Sequence, residues 1–361
     1  MEVEIRGNYD DTNRAFLQAF MGRGQLSIVE SKKILASIFS VQSGQAVAPE
    51  EVTKEDLDSY ISAAADALSP LDYEIRSTFH QQTKERVYAV VNSISDPLTQ
   101  MATTRTSEEM FYIKRLLDAM FETYNTKRKE VMAVRDMQAL EKKVTKGSGR
   151  QDGEDNSQLA VDKGLTIEQA EKLLATLVSE KWLEKSKENF YRLSPRALME
   201  LRGWLLEAYN EETDDPDDWQ RIKFCEACKE IVTVGQRCSN LECNVRLHTI
   251  CQTAFWNSRP SKTCPKCDTA WDGKRYVGQM VITTTDEYLQ GRRRSGGAKN
   301  SRAAAGDEED EEEEEHQNGT SRTNGRNGAA ENGERNGGGR RNSRRESPEE
   351  EEDEEDDEDD E

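Results

Sequence analysis

An α+β chain built from several small domains is predicted by three observations. The order helix, helix, helix, hairpin occurs twice before residue 212. All seven cysteines fall between Cys225 and Cys267, spaced as metal ligands. Beyond Gly291 apolar residues almost disappear. Helix, helix, helix, hairpin is the order of a winged helix. The expected architecture is therefore tandem winged-helix domains over 1–95 and 106–212, a two-zinc module over 220–272 and a disordered, acidic low-complexity tail over 292–361.

The first repeat opens with a helix at Arg14–Met21, for which Thr12 is the expected cap. Ser27 is placed to cap a second helix, where Ile28, Ile34, Leu35, Ile38 and Phe39 recur at helical spacing. Thr53-Lys54-Glu55-Asp56 has the form of a capping box and opens a third helix through Leu57, Ile61, Ala64, Ala65 and Leu68. Tyr73–Phe79 alternates as a strand, and a polar turn at Gln81-Gln82-Thr83 leads into a second strand, Val87–Val91.

Asp96–Arg105 reads as a linker. Ser107 then caps a helix with Met110, Ile113, Leu117, Met120, Phe121 and Tyr124 along one stripe, and a weaker helix follows around Asp136–Val144. Lys146–Asp155, rich in glycine and charge, is an expected flexible insertion. Thr166 restarts helix through Ala170, Leu173, Leu174 and Leu177. Trp182–Lys185 and Asn189–Leu193 form a hairpin, and Ser194-Pro195 supplies a cap and a first-turn proline for a helix over Arg196–Asn210. The duplication is one of topology, without a matching sequence repeat. Glu211–Asp218 is an acidic linker.

The chain carries 71 acidic and 50 basic residues in 361, a net charge of −21. The tail from Arg292 holds 25 acids against 12 bases and ends in thirteen consecutive acids, Glu349–Glu361, so the rest is only mildly acidic. That argues against a general nucleic-acid coat. The third helices are acidic as well. Glu50, Glu51, Glu55, Asp56, Asp58 and Asp66 face one Lys54 in the first repeat. Glu168, Glu171 and Glu180, with Glu184 nearby, are only partly balanced by Lys172 and Lys181 in the second. Phosphate is repelled by such helices, so both repeats are expected to dock protein, and direct DNA binding by this chain alone is not expected.

The first residues lack the apolar run of a secretory signal, and no stretch approaches the roughly 18 to 20 apolar residues of a membrane span. Clustered cysteines fit metal ligands in a reducing compartment better than disulfides. Arg292-Arg293-Arg294 and the pairs Arg340-Arg341 and Arg344-Arg345 read either as nuclear-import signals or as charge balance. Outside the cysteine segment only His80 and His316 remain, too isolated for a hydrolase site.

The ligand residues run Cys225-x2-Cys228, Cys238-x4-Cys243, His248-x2-Cys251 and Cys264-x2-Cys267. Eight ligands in four pairs make two tetrahedral Zn2+ sites with nothing left over. A closed shell is structural, so neither ion is expected to activate water. With no spare thiolate, ligases that carry ubiquitin on their own cysteine and cysteine-type deubiquitinases are excluded.

Four cysteines, one histidine and three cysteines resemble RING-variant and PHD fingers, which interleave their pairs in a cross-brace. The resemblance implies that Cys225, Cys228, His248 and Cys251 hold one zinc, and Cys238, Cys243, Cys264 and Cys267 the other. The gap from Cys243 to His248 suits a PHD finger equally well. Lys262, where PHD fingers carry an aromatic residue, and Pro265, after the seventh ligand, favour RING. A RING of this kind implies a docking surface for a ubiquitin-conjugating enzyme at Ile231, Val232, Trp256 and Pro265. The bland reading packs these residues internally.

Tandem winged helices before this finger resemble one family, the RING-containing non-SMC element one of the SMC five–six chromosome-maintenance complex. The stretches that carry the likeness are Arg14–Met21, Met110–Tyr124, Gly164–Leu193 and Phe224–Asp268, within about Tyr9–Trp271. The resemblance implies winged helices paired with a MAGE-family subunit and a kleisin. It also implies RING-type ubiquitin transferase activity in DNA repair and recombination, in the nucleus and on chromatin. The rival expectation is a non-enzymatic, PHD-like, histone- or protein-binding subunit of the same complex.

Overall fold

The computed structural model describes residues 9–93, 104–146, 163–211 and 218–290, which fall in one compact unit. Most of the two expected linkers, the insertion beyond Lys146 and the tail from Arg292 lie outside the described residues.

In the first repeat, α1 (Asp11–Met21) is capped by Asp10, not Thr12. The Asp10 carboxylate accepts the backbone N–H groups of Thr12 and Asn13, while Asn13 returns a bond to the Asp10 backbone, and Thr12 donates its hydroxyl to the same carboxylate. Ser27 with Glu30 caps α2 (Ile28–Ser43), and Thr53 with Asp56 caps α3 (Lys54–Leu68), both as reciprocal boxes. A short strand missing from the sequence reading, β1 (Gln25–Ser27), pairs with β3 (Arg86–Asn92), whose other edge takes β2 (Tyr73–Phe79). Phe16, Phe20, Leu26, Leu35, Leu57 and Leu68 fill the core.

The second repeat reproduces that sheet order with β4 (Val134–Arg135), β6 (Phe190–Leu193) and β5 (Leu183–Lys185). Its first helix, α4 (Ser107–Asp118), is capped by Thr106, because Glu109 three residues on completes the box. A wider π turn at Ala119–Thr123 keeps Met120 and Phe121 inside. The helix expected at Asp136–Val144 is two single turns, α5 (Asp136–Ala139) and α6 (Lys142–Thr145). Thr166 and Gln169 cap α7 (Ile167–Ser179).

The helix expected over Arg196–Asn210 is broken at Leu201 into α8 (Pro195–Glu200) and α9 (Arg202–Tyr209). The break lets the two halves serve different cores. Met199 of α8 packs on Ala89 and Val91 of β3. Tyr209 of α9 stacks on Phe121 at 5.2 Å. Arg76 donates to the Met199 carbonyl at 3.1 Å, and the Arg196 backbone N–H donates to Gln25 at 3.0 Å, joining the repeats side to side.

The cysteine module adds β7 (Gly235–Arg237), β8 (Arg246–His248), α10 (Gln252–Asn257), β9 (Tyr276–Val277) and α11 (Met280–Thr283), with β7 central in its sheet. The sheet is thus completed by residues past 272. Gly235 is required in β7, since a Cβ there would lie 2.2 Å from the Leu247 carbonyl oxygen.

Candidate metal centre

Two identical turns build one half of each ligand cluster. In the first, Cys225 N–H donates to the Glu230 carbonyl at 2.8 Å and Lys229 N–H returns to the Cys225 carbonyl at 2.8 Å. In the second, Cys264 N–H donates to Thr269 at 2.9 Å and Asp268 N–H to Cys264 at 3.0 Å. Each turn closes on a residue in the left-handed region, Lys229 at φ 60° and Asp268 at φ 53°. This tight reversal aims both thiols of a Cys-x2-Cys pair at one point. Strand β8 delivers His248, and the turn after it delivers Cys251. The loop between β7 and β8 carries Cys238 and Cys243.

The pairs interleave. Cys225, Cys228, His248 and Cys251 bring their ligand atoms within 4.8 Å of one another, and so do Cys238, Cys243, Cys264 and Cys267. The sulfurs of Cys238 and Cys267, and of Cys243 and Cys264, stand 3.5 Å apart. Thiolates about 2.3 Å from a shared tetrahedral ion stand about 3.8 Å apart, whereas a disulfide holds its sulfurs at about 2.05 Å. All seven cysteines are unbridged.

The first cluster also selects a tautomer. His248 Nε2 lies 3.1 Å from the Ile231 carbonyl oxygen, which can only accept, so Nε2 carries the proton and Nδ1 is left with a free lone pair. Nδ1 faces Cys228 Sγ at 3.2 Å and Cys251 Sγ at 3.8 Å. The donor set therefore fits a metal ion at each cluster. Thiolates brought this close repel one another, and a cation among them relieves that repulsion.

Beneath the second cluster lies a buried charge network that the sequence reading did not find. Glu130, 2 % exposed, takes both oxygens to Arg246, at 2.6 Å from Nε and 2.5 Å from Nη2. Lys223 donates at 2.9 Å, the Trp219 indole at 3.3 Å, and Arg237 lies at 3.4 Å. Burial pushes the Glu130 carboxyl up, but the Arg246, Lys223 and Arg237 charges outweigh it and hold the group down to about 2. Burial brings Lys223 down to about 8. An acid heading the apolar run Val131–Val134 was the one signal available in the sequence.

Of the four residues expected to meet a conjugating enzyme, three are interior. Ile231 is 3 % exposed, Val232 0 % and Trp256 8 %. Ile231 and Val232 join a core shared with the second winged helix, and Trp256 packs 5.3 Å from Trp271. Ile231, Val232 and Trp256 thus pack inside the module, and of the four residues Pro265 is the one at the surface. His80 is structural: its Nδ1 accepts the Thr83 backbone N–H at 3.1 Å and its Nε2 donates to Glu184 at 3.1 Å. Among the described residues no helix is long and apolar enough to cross a membrane.

Fold and site together define a tandem winged-helix protein carrying a closed, two-site RING-like module. A RING-like domain model matches residues 225–267, ligand to ligand. The chain belongs to the family described as the Nse1 non-SMC component of the SMC5-6 complex, whose model matches residues 13–201. Similar curated proteins include the non-structural maintenance of chromosomes element 1 homologs of Mus musculus and Homo sapiens. They are 26% and 25% identical over 267 residues, 73% of this chain and 85% of theirs. The Xenopus laevis homolog is 22% identical over 73% of this chain and 83% of its own. A chain from a solved Nse1-Nse3-Nse4 complex shares the fold, with a TM-score of 0.55 and 21% identity over 74% of this chain and 98% of that one.

Proposed function

We propose that this chain is a RING-type E3 ubiquitin ligase subunit that holds two zinc ions and scaffolds a ubiquitin-charged conjugating enzyme, with no covalent intermediate of its own. The observation that carries the reading is the closure of both clusters: all seven cysteines and His248 are committed to eight ligand positions. A protein so built offers a surface, not a nucleophile. Soft thiolate ligands in tetrahedral groups of four suit zinc. The winged helices anchor the chain to a MAGE-family subunit and a kleisin. Support comes from membership of an SMC5-6 component family and from the likeness to a chain of an Nse1-Nse3-Nse4 complex. The work of such a subunit is DNA repair and recombination on chromatin in the nucleus.

Purified chain, alone and with a MAGE-family partner, should speed ubiquitin discharge from a charged conjugating enzyme. Pro265→Ala should lower that rate at unchanged zinc content. No acceleration under either condition removes the ligase reading. The burial of Ile231, Val232 and Trp256 favours a second reading, a PHD-like, non-enzymatic subunit of the same complex. Binding of a histone peptide by a chain inert in discharge would select it.

A further inference from the structure

Side chains from both winged helices reach into the surroundings of the metal clusters: Gln81 from the first, and Glu130, Arg202 and Lys127 from the second. We propose that Gln81 of the first winged helix is a positioning residue for the Cys225, Cys228, His248 and Cys251 site, and that Glu130 of the second acts chiefly on the Cys238, Cys243, Cys264 and Cys267 site, so that the two sites draw outer support from different domains. The inference rests on both clusters holding zinc.

Gln81 sits in the turn between β2 and β3. Its Oε1 accepts the backbone N–H groups of Thr233 at 3.0 Å and Val234 at 2.9 Å, and its Nε2 donates to the Ile231 carbonyl at 2.8 Å. Residues 231–234 are all buried, so these backbone groups depend on Gln81 in place of water. The Ile231 carbonyl is the same atom that takes the His248 Nε2 proton. One oxygen therefore receives both the side chain from the first domain and the imidazole that faces the site. Moving the 231–234 segment moves the anchor that aims Nδ1. The turn is braced in its own right: Arg192 donates to Gln82 at 2.8 Å, and His80 holds Glu184.

Glu130 acts through two guanidinium groups. Arg246, gripped by both carboxylate oxygens, turns its Nη1 to the carbonyls of Cys243 at 2.7 Å and Val245 at 2.8 Å. Arg237 donates to the Leu241 carbonyl at 3.2 Å. Together they fasten the loop that carries Cys238 and Cys243. Charge points the same way. Arg246, Arg237 and Lys223 are three buried cations around one carboxylate, and an excess of two positive charges is costly away from water. Four thiolates around a divalent ion carry a net charge of two minus, which matches that excess.

The test uses the full chain loaded with cobalt(II), because a site of four sulfurs and a site of three sulfurs and one nitrogen absorb differently. Native mass measurement first counts the ions. Fewer than two in the unsubstituted chain sinks both the zinc reading and this proposal. With two bound, release to a chelator is followed at each site. Gln81→Met should speed loss from the histidine-containing site about tenfold or more and leave the four-sulfur site unchanged, while Glu130→Gln should speed loss from the four-sulfur site by about tenfold or more and from the other site by less; outer-sphere partners of metal ligands typically govern 10–100-fold. Gln81→Asn and Glu130→Asp keep each group one methylene short and should show the same selectivity at smaller size. They carry the test if the harsher variants unfold. Equal acceleration at both sites, or none at either, with two ions bound in the unsubstituted chain overturns the proposal alone.

Discussion

Removing the Glu130 charge should be among the costliest single changes in the chain. Glu130→Gln keeps the shape but leaves Arg246, Arg237 and Lys223 facing one another in the interior, where Arg246 is 0 % exposed and Arg237 4 %. The carboxyl is held down to about 2 from an ordinary 4.5, a depression worth about 3 kcal/mol. A depressed acid contributes stability that is complete above its unfolded value, near 4.5, and is lost as pH falls toward 2. At pH 7 the whole contribution is present. Breaking a buried pair by removing one partner costs about 3–5 kcal/mol, in line with that figure. Denaturant unfolding at pH 7 in buffered zinc, followed by tryptophan emission, should show this loss, since the Trp219 indole bonds to Glu130. Arg246→Met should cost a comparable amount, and the double variant less than the two together, because Arg246 is no longer left unpaired while Lys223 and Arg237 still lack their carboxylate. A loss below about 1 kcal/mol for Glu130→Gln, or strict additivity with Arg246→Met, would refute the account.

Stripping both ions with a strong chelator should unfold the module and reach into the second winged helix, because their buried residues form one core from Tyr112 to Val277. The first winged helix, with a separate core, should keep its slow amide exchange, and equal loss in both domains would contradict this. Cys264→Ser should lower the metal count by native mass measurement from two ions toward one, with the histidine-containing site retained. Phe16→Ala, emptying a fully buried position, should cost about 3–5 kcal/mol in thermal or denaturant unfolding. The full chain should bind duplex DNA without the steep salt dependence of a protein that contacts many phosphates, and a steep slope would restore a DNA-binding role to the third helices.

What the sequence made legible was local. Ser27 with Glu30, Thr53 with Asp56 and Thr166 with Gln169 read as caps because both halves of each bond lie within one turn. Two caps slipped by one or two residues. Thr12 and Ser107 are competent cap residues, but the partner three positions on decides, and Asn13 and Glu109 select Asp10 and Thr106. The ligand set was legible for the same reason, since each pair sits on one turn and thiols are chemically distinctive. β1 and β4 were not, because strands of two or three residues show no alternation and find their partners more than fifty residues later.

Exposure was the least legible property, and it bears most on function. Ile231 and Val232 follow a ligand pair as residues of a docking loop would, and nothing in their neighbours reveals that Gln81, 150 residues before Ile231, arrives to satisfy the backbone of Ile231, Thr233 and Val234. Glu130 and Arg246 lie 116 residues apart and look like surface charges until the fold joins them. A module of this size has little apolar interior of its own. Its core continues into the second winged helix, and that sharing buries the side chains a free-standing finger would leave outside. The burial of the expected docking residues and the interdomain grip on the clusters thus have a single physical origin, the use of neighbouring domains as the missing half of a small core.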